Sequence, residues 1–114
     1  MKIFIVVENF PKEQTRILSL MEKEIKEKIA KFELAKILEI TEKEISVVFH
    51  IKSLGIYDEP PDMFFTVFSQ IGEESMQEIN FIKDIGKKLF SITKKYFKST
   101  DIYVIHSPSC IINF

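Results

Sequence analysis

The chain has 114 residues, 46% of them hydrophobic and 29% charged, with a formal net charge of -1 and a pI near 6.1. That length accommodates one domain, residues 1–114, which buries roughly two-thirds of the surface of its unfolded chain. The near-zero charge gives no electrostatic case for nucleic acid or an anionic membrane, and no apolar run approaches the ~20 residues that span a bilayer.

The single cysteine, Cys110, has no partner for an internal disulfide, and a reducing, cytoplasmic setting is the simplest reading. The N-terminus is strand-like and lacks the pattern of a secretory signal, since one lysine precedes five apolar residues and then Glu8 and Asn9. Residues 3–7 are apolar at every position, as in a strand covered on both faces, and Asn9-Phe10-Pro11 is expected to stop it. Pro11 suits a first helical position. Ile17, Leu18, Met21, Ile25 and Ile29 then recur at helical spacing, with Glu22–Lys26 and Glu24–Lys28 as favourable i,i+4 pairs. The helix continues through Phe32, Leu34 and Leu38 or breaks near there. Thr41-x-x-Glu44 reads as a capping box on a short turn before a second strand over residues 45–51.

Lys52 to Asp62, with Gly55, Pro60 and Pro61, is the clear loop between two halves at about residues 1–55 and 60–114. A third strand is predicted over residues 63–71, closed by Gly72. Ser75-x-x-Glu78 opens a second helix with a buried stripe of Met76, Ile79, Ile82, Ile85, Leu89, Thr93 and Tyr96. Lys94, Lys95 and Lys98 fall at its negative end. A fourth strand is predicted over residues 102–106, followed by the turn Ser107-Pro108-Ser109 and an apolar tail from Cys110 to Phe114.

The fold class is therefore α/β (α+β): two βαβ units that form a four-stranded sheet with two helices on one face. Two helices cover one face only, while the strands are apolar on both. The uncovered face points to a homo-oligomer. A ferredoxin-like domain shares the element order but pairs its strands antiparallel and joins the middle two by a shorter hairpin.

Order and spacing over nearly the whole chain resemble the tautomerase superfamily. The resemblance is carried by Phe4-Ile5-Val6, by the turn Thr41 to Glu44 before Ile45, by the proline-containing loop, by Ser69-Gln70-Ile71-Gly72 and by Asp101-Ile102-Tyr103. It implies a homotrimer with its sheets around a central channel, and sites at subunit interfaces that take a small keto or enol acid without a metal or cofactor. In active members an N-terminal proline, exposed by loss of the initiator Met, moves a proton between oxygen and carbon. Residue two here is Lys2, and a residue of that size leaves Met1 in place. The base is then either absent or replaced, by the Met1 α-amine or by Lys2 itself; a solvated lysine at a strand start is the ordinary reading of Lys2.

The same resemblance implies that the Ile71 amide helps hold substrate and that Tyr103 lines the pocket, although both also suit plain packing. The pocket asparagine of the family falls at Ile105 and its carboxylate-binding lysine near Ile40, with Lys36 and Lys43 close in sequence. His106, at the end of the fourth strand, is a candidate titratable group near the pocket; His50, His106 and Cys110 do not form a metal site of familiar spacing. Two function classes follow: a keto–enol isomerase with a replaced base, and a non-catalytic trimer of the same fold that binds a ligand or a protein.

Overall fold

A computed structural model describes residues 1–51, 63–72, 76–97 and 102–112, except for the side chains of Met76 and Gln77. The loop from Lys52 to Asp62, the helix-opening Ser75, the helix-end Lys98 and the last residues of the apolar tail lie outside the described residues.

Four strands, β1 (Ile3–Phe10), β2 (Ile45–Ile51), β3 (Met63–Ser69) and β4 (Ile102–Pro108), form one mixed sheet in the order β2-β1-β3-β4. β1 runs parallel to β2, β3 runs parallel to β4, and the central β1 and β3 are antiparallel. This is two βαβ units set side by side. The parallel outer pairs exclude the ferredoxin-like alternative.

Burial alternates along each strand, as a period of two requires. Ile3, Ile5, Val7, Phe65 and Val67 are buried beneath the helices, together with Met21, Ile25 and Ile29 of α1 (Leu18–Lys31) and Ile85 and Leu89 of α3 (Met76–Tyr96). The other face stays open, with Phe4, Val48, Tyr103 and Ile105 exposed on it. The registers Phe4↔Phe68, Val6↔Thr66 and Thr66↔Ile105 make that face one continuous, mostly apolar surface.

The two crossovers differ. The second is the single helix α3. The first is broken into a 3-10 helix (Lys12–Ile17), α1, α2 (Glu33–Ile37) and a 3-10 turn (Glu42–Glu44). Pro11 precedes the 3-10 helix and is extended at ψ 128, so it does not occupy a first α-helical position. Phe32 separates α1 from α2 in an extended conformation (φ -73, ψ 157), which leaves its ring buried and 6.2 Å from that of Phe81. α2 ends in a Schellman arrangement: the Ile40 amide donates to the Ala35 carbonyl at 2.8 Å across Glu39, which is left-handed at φ 56.

Several local expectations are corrected. β1 runs on to Phe10, with a register irregularity between Val7 and Phe10 and Asn9 left-handed at φ 60; asparagine tolerates that region better than most residues. At Thr41 the turn forms without a side-chain cap, closed by the Glu44 amide on the Thr41 carbonyl at 2.9 Å. β3 stops at Ser69 and β4 reaches Pro108. The predicted stripe of α3 holds at Ile85, Leu89 and Thr93, with Ile82 and Tyr96 packed against the core, but fails at Ile79, which is exposed; Phe81 and Ile92 are buried in addition.

Of the predicted ion pairs on α1, Glu22–Lys26 forms at 3.0 Å. Glu24 instead reaches α3, accepting hydrogen bonds from the Tyr96 hydroxyl at 2.6 Å and the Lys95 ammonium at 2.9 Å. The Tyr96 bond, with Lys95 beside it, holds the Glu24 carboxyl below its ordinary value. The Glu24 carboxylate in turn raises Lys95 and Tyr96 above theirs.

Candidate active site

The antiparallel pairing of β1 with β3 fixes where the N-terminus lies. Ile3 stands opposite Ser69, so Met1 and Lys2 lie beside the segment that leads from Ser69 to Ile71. Strand alternation then separates the two candidate bases. Met1 packs against the core on the helix side, and its α-amine donates to the Glu39 carbonyl at 3.3 Å. Lys2 is half-exposed, with its Nζ 3.9 Å from the Glu44 carboxylate. The Schellman turn that makes Glu39 left-handed is thus also what presents a carbonyl to the N-terminal amine.

Ile71 is buried, and its amide donates to the Ser69 hydroxyl at 3.3 Å. Lys36 is an exposed cation on α2, three residues before Glu39. His106 lies within reach of the same corner but does not face solvent. Its side chain is 2% exposed, with Nδ1 2.9 Å from the Glu78 carboxylate and Nε2 2.5 Å from the Ser69 hydroxyl. Its ring also meets Phe81 edge-on, with centroids 5.3 Å apart. The next residues seal this corner: the Ser109 amide donates to the Ser69 carbonyl at 2.6 Å, and the Gln70 side chain donates to the Ile111 carbonyl at 3.3 Å.

Tyr103 is elsewhere. It pairs with Phe64, which pairs with Glu8, at the opposite end of the sheet. Six residues of strand separate Glu8 from Lys2, roughly 20 Å at the usual rise per residue. One chain therefore brings Met1, Lys2, Ile71 and His106 to a single sheet end, sets Lys36 three residues from the Glu39 turn there, and leaves Tyr103 at the other end. The exposed ring of Tyr103 lies on the open face, 6.0 Å from that of Phe64.

Sequence reasoning missed Ser69 and Glu78 as partners of His106. The one available signal was a hydroxyl at a strand end and a carboxylate in the first turn of a helix. Nothing in residue spacing announces that three elements bring them together. Among the described residues, no group of three or more His, Cys, Asp or Glu side chains is placed to hold a metal ion, and no helix is long and apolar enough to cross a membrane.

Strand order and the pairing of two βαβ units with their helices on one face give the tautomerase-like α+β fold expected from the sequence, a likeness that solved structures share. Solved structures with that likeness include a domain of unknown function (DUF1904) from Sebaldella termitidis. It matches at TM-score 0.61 and 15% identity, over 95% of this chain and 89% of that one. A fused 4-OT wild-type asymmetric trimer matches at TM-score 0.59 and 7% identity, over 91% and 84%. A member of the cis-3-chloroacrylic acid dehalogenase family matches at TM-score 0.56 and 12% identity, over 92% and 75%. At these identities the likeness is one of fold. No protein-family model and no curated protein matches the chain.

Proposed function

We propose that this chain is a homotrimeric keto–enol isomerase of small keto acids, with the Met1 α-amine as its base and Lys2 as the alternative base. The observation that carries the reading is the register of Ile3 opposite Ser69, which sets the N-terminus beside Ile71 in a tautomerase fold. In the direction from ketone to enol, the amine lone pair takes a proton from the carbon beside the carbonyl. The electron pair moves to the carbonyl oxygen, and the proton is returned there; the reverse direction runs through the same steps. No oxidant or reductant is needed. The Glu39 carbonyl orients the amine by accepting one hydrogen, which leaves the lone pair of the neutral amine for the substrate. Lys36 supplies a cation for the substrate carboxylate, and the Ile71 amide becomes a backbone donor to substrate by exchanging its bond to the Ser69 hydroxyl.

Oligomerisation completes the site in this reading. Tyr103 is too far from Met1 within one chain and joins from a neighbouring copy, across the open apolar face that carries Phe4, Val48 and Ile105. The single exposed thiol of Cys110 fits a cytoplasmic setting. A non-catalytic trimer that binds a ligand or a protein is the second reading. It is favoured by Lys2, whose half-exposed side chain reaches toward Glu44 and solvent.

The test is phenylpyruvate tautomerisation by the wild type and by a Lys2→Pro variant, with both N-termini verified by intact mass. Wild-type activity supports the primary amine as base. Activity in the variant alone shows a competent pocket without its base. Inactivity of both favours the binding reading.

A further inference from the structure

Ser69, His106 and Glu78 come from β3, β4 and α3, and they meet behind the corner that carries Ile71. Their connectivity is that of a serine, a histidine and a carboxylate in nucleophilic catalysis. Burial rules that role out here. Ser69 has 0% exposure and its Oγ already accepts the Ile71 amide, so an acyl carbon has no approach to it.

The chain of donors runs in one direction. An ionised carboxylate only accepts, so the hydrogen of the neutral ring lies on Nδ1, toward Glu78. Nε2 is then an acceptor and takes the Ser69 hydroxyl hydrogen. The freed lone pairs of Oγ face the Ile71 amide. Amide, hydroxyl, imidazole and carboxylate are thus aligned head to tail, and each bond polarises the next. Among the described residues the groups that meet the ring are Ser69 from β3 and Glu78 and Phe81 from α3, with Glu78 the charged one.

We propose that His106 is a positioning residue, which through Ser69 fixes the orientation of the Ile71 peptide and makes that orientation depend on the protonation state of the ring. A proton added at Nε2 turns this nitrogen from acceptor to donor. The bond to Ser69 then reverses: the Ser69 oxygen accepts from Nε2–H, its own hydrogen turns away from the ring, and the Ile71 amide shares that oxygen with a second donor. The value of this for catalysis rests on the reading of Ile71 as a substrate contact; the relay itself does not.

The experiment is nitrogen-15 NMR on the full chain, following the His106 ring nitrogens and the Ile71 amide across a pH titration. The expected result is the Nδ1–H tautomer, with the Ile71 amide shift moving in step with the ring. In Ser69→Ala the ring still titrates and the Ile71 amide no longer follows it. In Glu78→Gln, whose side-chain oxygen still accepts from Nδ1, the amide keeps following the ring; this variant serves if Ser69→Ala fails to fold. The Nε2–H tautomer, or an Ile71 amide indifferent to the ring in the wild type, overturns the proposal. Phenylpyruvate turnover is read separately: an inactive protein whose ring and amide move together overturns the proposed reaction and upholds the relay.

Discussion

Phe49 is the fifth residue of β2 and His106 the fifth residue of β4, so the two βαβ units put them at corresponding places beside the central strands. Their surroundings are opposite in chemistry. At one end of the sheet Phe10 packs edge-on against Phe49 at 5.2 Å and Phe97 at 5.7 Å, an aromatic plug where β1 ends and α3 has just finished. At the other end His106 joins Ser69 to Glu78 where β3 ends and α3 begins. One topology therefore closes one end of its sheet by apolar packing and the other by a directed chain of hydrogen bonds. The polar end is the one that also receives the N-terminus. A duplicated scaffold can thus hold its two ends with different chemistry, reserving polar groups for the end where Ile71 and Met1 meet.

The largest effect is expected at the apolar end. Phe10 is fully buried, and Phe10→Ala removes both edge contacts and leaves a void, at a cost of about 3–5 kcal/mol. Urea unfolding followed by circular dichroism measures it. A loss below about 1 kcal/mol would mean that the aromatic end does not hold the sheet.

The polar end should lose less and should lose it cooperatively. Ser69→Ala deprives both the His106 Nε2 and the Ile71 amide of their partner, a cost of about 1–3 kcal/mol. Adding His106→Phe to it should cost less than the two single changes summed, because the chain is already cut. Strict additivity in the double-mutant cycle would break the picture of one connected relay.

How much of this was legible in the sequence depends on the range of the interactions involved. The strand over residues 45–51, most of the one predicted over 63–71 and the buried positions Met21, Ile25 and Ile29 all follow from local periodicity. The doubled unit followed from these, and the fold with it. The breaks in the first crossover did not. Phe32 turns extended because its ring finds Phe81 far along the chain, and no local propensity encodes that contact. One position of the α3 stripe fails for a related reason: Ile79 fits the helical period but is exposed, while Phe81 fills the space beside His106. His106 itself was seen as a titratable group near the site. Its partners were not, because they lie 28 and 37 residues away on different elements.

The first crossover offers a gain in stability of a kind that no described residue of the second offers. Glu39 sits at φ 56, a conformation that costs a residue with a Cβ and that glycine adopts freely. Glu39→Gly should stabilise the chain by about 1 kcal/mol, read as a higher urea midpoint with an unchanged slope. The main-chain carbonyl that accepts from Met1 remains in place. A destabilised variant would mean that the Glu39 side chain contributes more than its backbone strain costs.

The smallest effect concerns the clasp between the two crossovers, Glu24 with Tyr96 and Lys95. Tyr96→Phe removes the hydrogen bond that does most to lower the Glu24 carboxyl, and near pH 7 it should cost about 0.5–1 kcal/mol, since the pair is partly exposed. The sign of its pH dependence follows from the direction of each shift. A carboxyl held below 4.5 in the folded chain stabilises it above that pH, and the contribution fades as pH falls through the lowered value. Tyr96 and Lys95, raised above 10.0 and 10.5, contribute below those values and lose their contribution as pH rises through the raised ones. The gap in stability between wild type and Tyr96→Phe should therefore be widest between these limits and close in strong acid. Unfolding both proteins in urea at about pH 7 and about pH 3 checks this. A gap that persists undiminished in acid would assign the effect to packing of the ring and remove the charge from the account of how the two crossovers are joined.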